Sequence, residues 1–270
     1  MNRRDFVKSA VLTSATILTM PAMASFKSNS GQDSQYMDLH VHLTDYFNIE
    51  KAVEIAKQRN MKFGILEHPA PEGWIKSDVE LNQYIDRLRQ YPVYIGIQPI
   101  YLGWSKAFSK EVLDRLDYIL MDPQTVPQEG GGFMKIWWFN AYVDDEEEFM
   151  NRYMKHCLNI LNQEPINIFS WPLSIPACIG RDYYKLWTPE RKQAIITAAK
   201  NRNIAIEIND MWHLPDEDFI MEAKSQGLKF SFGTDSRDPN IAGLLTYGMK
   251  MVKKCNLTVK DFFVPAGKNG

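Results

Sequence analysis

The sequence predicts an α/β fold, one domain built as a closed or nearly closed (β/α)7 barrel. Seven short apolar runs, at 37–43, 62–67, 93–98, 118–121, 166–171, 204–208 and 228–233, alternate with amphipathic helical segments, the pattern of βα units around a parallel sheet. The units follow one another without a break, and no Gly-rich phosphate loop follows the first run as it usually does in an open doubly wound sheet. At 270 residues, 45% hydrophobic and 24% charged, the chain has ordinary globular composition and enough length for one sizeable core. A formal net charge of −2 gives no electrostatic footprint for nucleic acid or an anionic membrane, so neither is an expected partner.

The first 24 residues read as an export signal. A cationic start at Arg3-Arg4 precedes an apolar stretch over about 10–20, and Ala22-Met23-Ala24 supplies a small-residue cleavage site, with the cut after Ala24. The apolar part is too short to span a bilayer. Arg3-Arg4-x-Phe6-x-Lys8 resembles the bacterial twin-arginine signal, which implies a periplasmic destination; an ordinary secretory signal with two arginines is the alternative, and both place the mature chain outside the cytoplasm. No cysteine stands at the cleavage site, which argues against a lipoprotein anchor. A Ser/Gly/Gln-rich linker at 25–35 then leads into the folded domain, 36–270.

Asn48 is placed to cap a helix through Arg59 with Ile49, Val53, Ile55 and Ala56 as its apolar stripe, and Ser77-Asp78-Val79-Glu80 reads as a capping box opening a helix over 78–89. Further helices are expected over 144–161, whose acidic start suits the helix dipole, from Thr188-Pro189, over 216–226 with Gly227 as its stop, and over 241–254. Cys157, Cys178 and Cys255 form no zinc or redox pattern and read as buried small apolar residues, with one disulfide left open.

The first run, Asp38-Leu39-His40-Val41-His42-Leu43, carries the strongest chemical signal. Residues two apart in a strand share a face, so His40 and His42 can aim at one point while Leu39, Val41 and Leu43 pack behind. Paired imidazoles suit zinc, iron, nickel or copper, and imidazole with carboxylate suits zinc, iron or manganese. A strand with two merely hydrogen-bonded histidines fits this motif equally well by itself. The other runs end in Glu67-His68, Gln98, Asp122 with Gln124, Ser170-Trp171, Glu207-Ile208-Asn209-Asp210 and Thr234-Asp235-Ser236-Arg237. Such polar ends collect at the C-terminal mouth of a βα barrel, where buried carboxylates and histidines need a cation or hydrogen bonds.

These runs resemble the motifs of the PHP superfamily, the polymerase and histidinol phosphatase domain, a distorted seven-stranded βα barrel of metal-dependent phosphoesterases. Asp38-Leu39-His40-Val41-His42-Leu43 is similar to its opening His-x-His motif, Leu66-Glu67-His68 to its Thr-Asp-His motif, Ala205-Ile206-Glu207-Ile208-Asn209 to its Leu-Glu-Ile-Asn strand, and Phe232-Gly233-Thr234-Asp235-Ser236-Arg237 to its closing Gly-Ser-Asp-x-His motif through the aspartate. The intact PHP site holds three metals. Here Gln98 stands for the third-strand glutamate, Gln124 and Trp171 for histidines of strands four and five, and Arg237 for the last histidine.

The resemblance therefore implies one divalent transition metal, zinc, manganese or iron, held by His40, His42 and Asp235, with Gln98 as a neutral candidate and His68 as ligand or proton carrier. Arg237 offers a bidentate grip on a small anionic substrate, and Glu207 and Trp171 are expected to contact that substrate. For Glu207, a hydrogen bond to backbone at the barrel mouth is the alternative. The expected activity is phosphoester hydrolysis; a barrel that binds without catalysis and a divergent amidohydrolase are the rival readings. The mouth is expected to hold the largest functional pocket, walled by Trp171 and one or both of Trp137 and Trp138, whereas His156 reads as structural and His213 as an exposed loop residue.

Overall fold

The computed structural model describes residues 36–267; the predicted export signal and the linker lie outside the described residues. In chain order the elements are β1 (Met37–His42), α1 (Ile49–Gln58), β2 (Lys62–Leu66), α2 (Asp78–Leu88), β3 (Tyr94–Ile97), α3 (Lys110–Leu113), β4 (Tyr118–Met121), β5 (Thr125–Pro127), β6 (Phe133–Lys135), α4 (Glu146–Gln163), β7 (Ile168–Phe169), α5 (Tyr183–Leu186), α6 (Pro189–Asn201), β8 (Ala205–Asn209), α7 (Glu217–Ser225), β9 (Phe230–Gly233) and α8 (Thr246–Lys254). Seven of the strands pair in the order β1-β2-β3-β4-β7-β8-β9, and β1 closes the barrel against β9. All seven pairings are parallel, as βα crossovers require.

The helices begin where side chains satisfy their free N–H groups. Asn48 accepts from the Lys51 amide, Asp145 from Glu148, Thr188 from Arg191 and Asp216 from Phe219. Two expectations fail. Ser77 precedes α2, but its hydroxyl donates to the Glu80 carboxylate, so the backbone half of the expected capping box is missing. The last helix starts at Thr246 rather than near 241, because the backbone turns at Gly243 (φ +79°), whose N–H donates to Asp38.

A small cluster of strand residues, Leu39, Leu66, Tyr118, Leu120, Ile168 and Ala205, fills the barrel, while a larger one including Val41, Phe63, Ile65, Ile119, Phe169 and Ile206 packs between strands and helices. Tyr118 occupies the interior because position 64 is glycine; a Cβ there would lie 2.2 Å from the Tyr118 hydroxyl. That hydroxyl donates to the Leu39 carbonyl at 2.8 Å. In β1 the pairing with β2 slips between Asp38 and Val41, a bulge of one extra residue. Leu39 consequently joins the interior cluster instead of packing behind the histidines as strict alternation predicts, and Val41 alone of the pair faces the helices.

The chain after β4 makes an antiparallel hairpin, β5 with β6, outside the barrel and on its functional side. Cys157 and Cys255 are buried and free; Cys178, expected to be buried, is exposed and also free. No helix among the described residues is long and apolar enough to cross a membrane.

Candidate metal centre at the barrel mouth

The C-terminal ends of the strands converge on His40 and His42 of β1 and on Asp235, two residues past β9. One ligand atom from each falls within 4.8 Å of the others: His40 Nε2 lies 3.3 Å and His42 Nε2 lies 3.4 Å from Asp235 Oδ1. The backbone fixes this meeting. β1 continues to pair with the segment after β9, with His42 N–H donating to Ser236 O (2.9 Å) and Ser236 N–H to His40 O (3.3 Å). Asp235, between them, takes a left-handed conformation (φ +47°), a strained choice for a non-glycine residue that is characteristic of functional sites. Asp38 pins the same loop from behind by accepting from Thr234 and Gly243 N–H groups.

His40 is oriented by Glu207. Its Nδ1 lies 2.6 Å from Glu207 Oε1, and Glu207 Oε2 accepts from Trp171 N–H and Asn209 Nδ2, both at 3.0 Å. Glu207 is fully buried, does not line the cavity and has only protein partners, the Trp171 backbone N–H among them, which is the geometry of the alternative reading, a backbone hydrogen bond at the barrel mouth. Gly233 makes the room, since a Cβ there would lie 2.0 Å from Glu207 Oε1.

The three groups sit in different electrostatic surroundings. Burial alone would pull the His40 pKa down, but the Asp235 and Glu207 carboxylates outweigh it and hold the ring's pKa at about 9. In His42 burial prevails, lowering the pKa to about 3 and leaving a neutral ring whose buried Nε2 has no hydrogen-bond partner. Asp235 sits well below the usual carboxylate range: burial opposes ionisation, and His40, His42 and Arg237 overcome it. Two imidazole nitrogens and one carboxylate oxygen, one nitrogen unpartnered, are a donor set that fits zinc, iron or manganese.

Around this trio the predicted residues divide. Gln98 Oε1 lies 3.1 Å from His40 Nε2, so Gln98 is at the centre. His68 is not in the ligand group; its ring stacks on His42 at 5.0 Å, and its Nδ1 lies 2.9 Å from the Gln98 carbonyl. Burial lowers the His68 pKa, so the ring is neutral; donating from Nδ1 leaves an Nε2 lone pair. Arg237 donates to Asp235 Oδ1 (2.9 Å) and approaches His68 Nε2 (3.5 Å), its guanidinium half exposed at the mouth.

His68, Gln98, Asp235 and Arg237 line a cavity of 540 Å³ together with Glu67, Glu72, Asp122, Gln124, Trp137, Trp171, Met211 and Trp212. It is not the largest cavity among the described residues; a groove of 780 Å³ runs along α4 beside the β5–β6 hairpin. Trp171 and Trp137 wall the site as expected, whereas Trp138 is exposed elsewhere and Trp212, not anticipated, packs 5.3 Å from Trp171. Asp122 was visible at a strand end but carried no assigned role: it is buried, accepts from Gln98 Nε2 and Gln124 N–H, and burial raises its pKa to about 6. His213 is exposed and stacks on Tyr247.

No family model matches the sequence, and no curated protein matches it. Among solved structures, the chain is similar to histidinol phosphate phosphatase from Lactococcus lactis subsp. lactis Il1403, complexed with zinc, L-histidinol and phosphate: TM-score 0.57, 18% identity, 85% of this chain and 99% of that one. Two others align at TM-score 0.38, too low to inform the comparison: an archaeal ribonuclease P with mature tRNA (13% identity, 82% and 90%) and an HpcH/HpaI aldolase from Desulfitobacterium hafniense DCB-2 (11%, 80% and 92%). At 18% identity the likeness speaks to architecture, and with the closed seven-stranded parallel barrel it establishes that this chain has a PHP-like fold.

Proposed function

We propose that this chain is an exported, metal-dependent phosphoesterase that hydrolyses a small anionic ester in the periplasm. The observation that carries the reading is the convergence of His40, His42 and Asp235 within 4.8 Å at the barrel mouth, where Asp235 lines an open cavity. The phosphate and zinc in the similar phosphatase structure support the same chemistry. His40 Nε2, His42 Nε2 and Asp235 Oδ1 hold one divalent ion, with Gln98 Oε1 as a neutral fourth donor. Such an ion polarises a phosphoryl oxygen and lowers the pKa of water toward ~7.

The remaining chemistry belongs to the chain. Glu207 holds the His40 tautomer that leaves Nε2 free for the metal. Arg237 presents its second guanidinium nitrogen to an anionic oxygen at the mouth while its first stays on Asp235. Neutral His68 accepts a proton at Nε2 beside that anion, and Trp137, Trp171 and Trp212 offer apolar surface that seats the organic part of the ester.

A second reading, a binding protein without turnover, is favoured by one observation: Asp235 is shared between the metal position and the Arg237 guanidinium, which reduces its charge toward an ion. Metal content and turnover of 4-nitrophenyl phosphate, measured together with zinc, manganese and iron, separate the two. Turnover that is lost in His42→Ala supports the phosphoesterase. Bound metal and bound phosphate without turnover support the binding protein, and a chain that holds no metal contradicts both.

A further inference from the structure

We infer that Asp122 is a positioning residue that decides which end of the Gln98 amide faces the metal centre, an inference that rests on the metal site proposed above. The two ends of a glutamine amide have nearly the same shape and differ in that one accepts and the other donates. Only their partners choose between them. Gln98 Nε2 donates to Asp122 Oδ2 at 2.9 Å, which turns Oε1 toward His40 Nε2 at 3.1 Å. Asp122 is itself held, because its Oδ1 accepts from Gln124 N–H at 2.9 Å. Both side chains are buried, at 4% and 2% exposure, so each depends chiefly on its protein partners.

The consequence is an unusual distribution of charge. A glutamate at position 98 would place a full negative charge on the ion, whereas here the ion receives a neutral carbonyl oxygen and the charge stays on Asp122, one hydrogen bond further back. With the amide reversed, an NH2 group would face the cation and offer it nothing. The pair Gln98–Asp122 therefore acts as a single ligand whose donor atom and whose charge lie on different residues.

Exchanging the two roles tests this. In Asp122→Asn, the Gln124 N–H keeps the new carbonyl oxygen, so the new NH2 faces Gln98 and demands its oxygen; the Gln98 NH2 then points at the centre. Zinc affinity of the full-length chain, titrated metal-free against a fluorescent chelator, should fall at least about tenfold, the usual cost of losing a group that orients a ligand. Adding Gln98→Glu restores a match, since the NH2 at 122 meets one carboxylate oxygen and the other faces the ion; this double variant should bind zinc at least as tightly as the wild type. Gln98→Glu alone sets two carboxylates against each other that coexist only by sharing a proton, which the double variant does not need, so at pH 9 it should bind at least about tenfold more weakly than the double variant.

Circular dichroism checks folding, and if Asp122→Asn fails to fold, the comparison of Gln98→Glu with the double variant decides. Equal affinity in wild type and Asp122→Asn, or no gain from Asp122→Asn in the Gln98→Glu background, overturns the inference alone. A wild type that binds no zinc, or that binds it equally after His42→Ala, overturns the metal site and this inference together.

Discussion

Replacing Glu207 by glutamine removes one charge and no volume, yet it should cost the metal site most of its affinity. Glu207 Oε2 is held by two donors, Trp171 N–H and Asn209 Nδ2, each at 3.0 Å. The glutamine oxygen is therefore kept at that position, and its NH2 is directed at His40 Nδ1, where a carboxylate oxygen accepts at 2.6 Å in the wild type. To meet an NH2, His40 must present its Nδ1 lone pair, which moves its proton to Nε2, the atom that has to be free for a metal. A hydrogen bond to a charged group contributes about 1.5–3 kcal/mol. Both partners are fully buried, so screening does not reduce this, and zinc affinity should fall roughly tenfold to a hundredfold. The assay is competition for zinc against a chromophoric chelator as a function of pH. In the wild type, affinity should rise until the pH reaches about 9, where His40 gives up its proton; in Glu207→Gln the plateau should come at lower pH, because Glu207 is one of the two carboxylates that raise that pKa. A variant that folds and binds zinc as the wild type does, with the same pH profile, would refute the orienting role.

Arg237→Ala should weaken phosphate binding to the zinc-loaded protein about tenfold by calorimetry, the lower end of a charge-assisted contact because the guanidinium is half exposed, and Arg237→Lys should not restore it because the fork is lost. For the metal-free protein, the His40 pKa stands at about 9 against an ordinary 6.5, so its stabilisation is complete below 6.5 and disappears as the pH rises through 9. The melting temperature without metal should fall across that window, and in Glu207→Gln the fall should be smaller. His156 in α4 is buried with neither ring nitrogen partnered, and burial lowers its pKa to about 4, so it destabilises increasingly as the pH drops from 6.5 toward 4. His156→Leu should therefore stabilise by about 1 kcal/mol in urea denaturation at neutral pH, with a larger gain at pH 5.

What was legible in the sequence was what local spacing encodes. The helix starts at Asn48 and Thr188 lie where the sequence places them, because a cap needs only its own helix's N–H groups within three residues. His40, His42 and Asp235 were legible as motif residues at strand ends, and the barrel brings them together. The role of Glu207 was not, because its partner His40 lies 167 positions away and nothing local marks a carboxylate that serves another residue's ligand. The Gln98–Asp122 pair, 24 positions apart on neighbouring strands, escaped for the same reason. The slip in β1 that turns Leu39 inward depends on its neighbour β2, so period-two reading placed that side chain on the wrong side. Within α2, Ser77 chose the nearby Glu80 carboxylate over the backbone, a competition between side chains that a capping pattern does not resolve.

An anomalous difference map of crystals grown with zinc locates the metal outright. One peak is expected at the barrel mouth, roughly 2.0–2.2 Å from His40 Nε2, His42 Nε2 and an Asp235 carboxylate oxygen, and it should be lost in His42→Ala. A mouth without a peak, or zinc held there by other residues while these three remain hydrogen-bonded to one another, would contradict this ligand set.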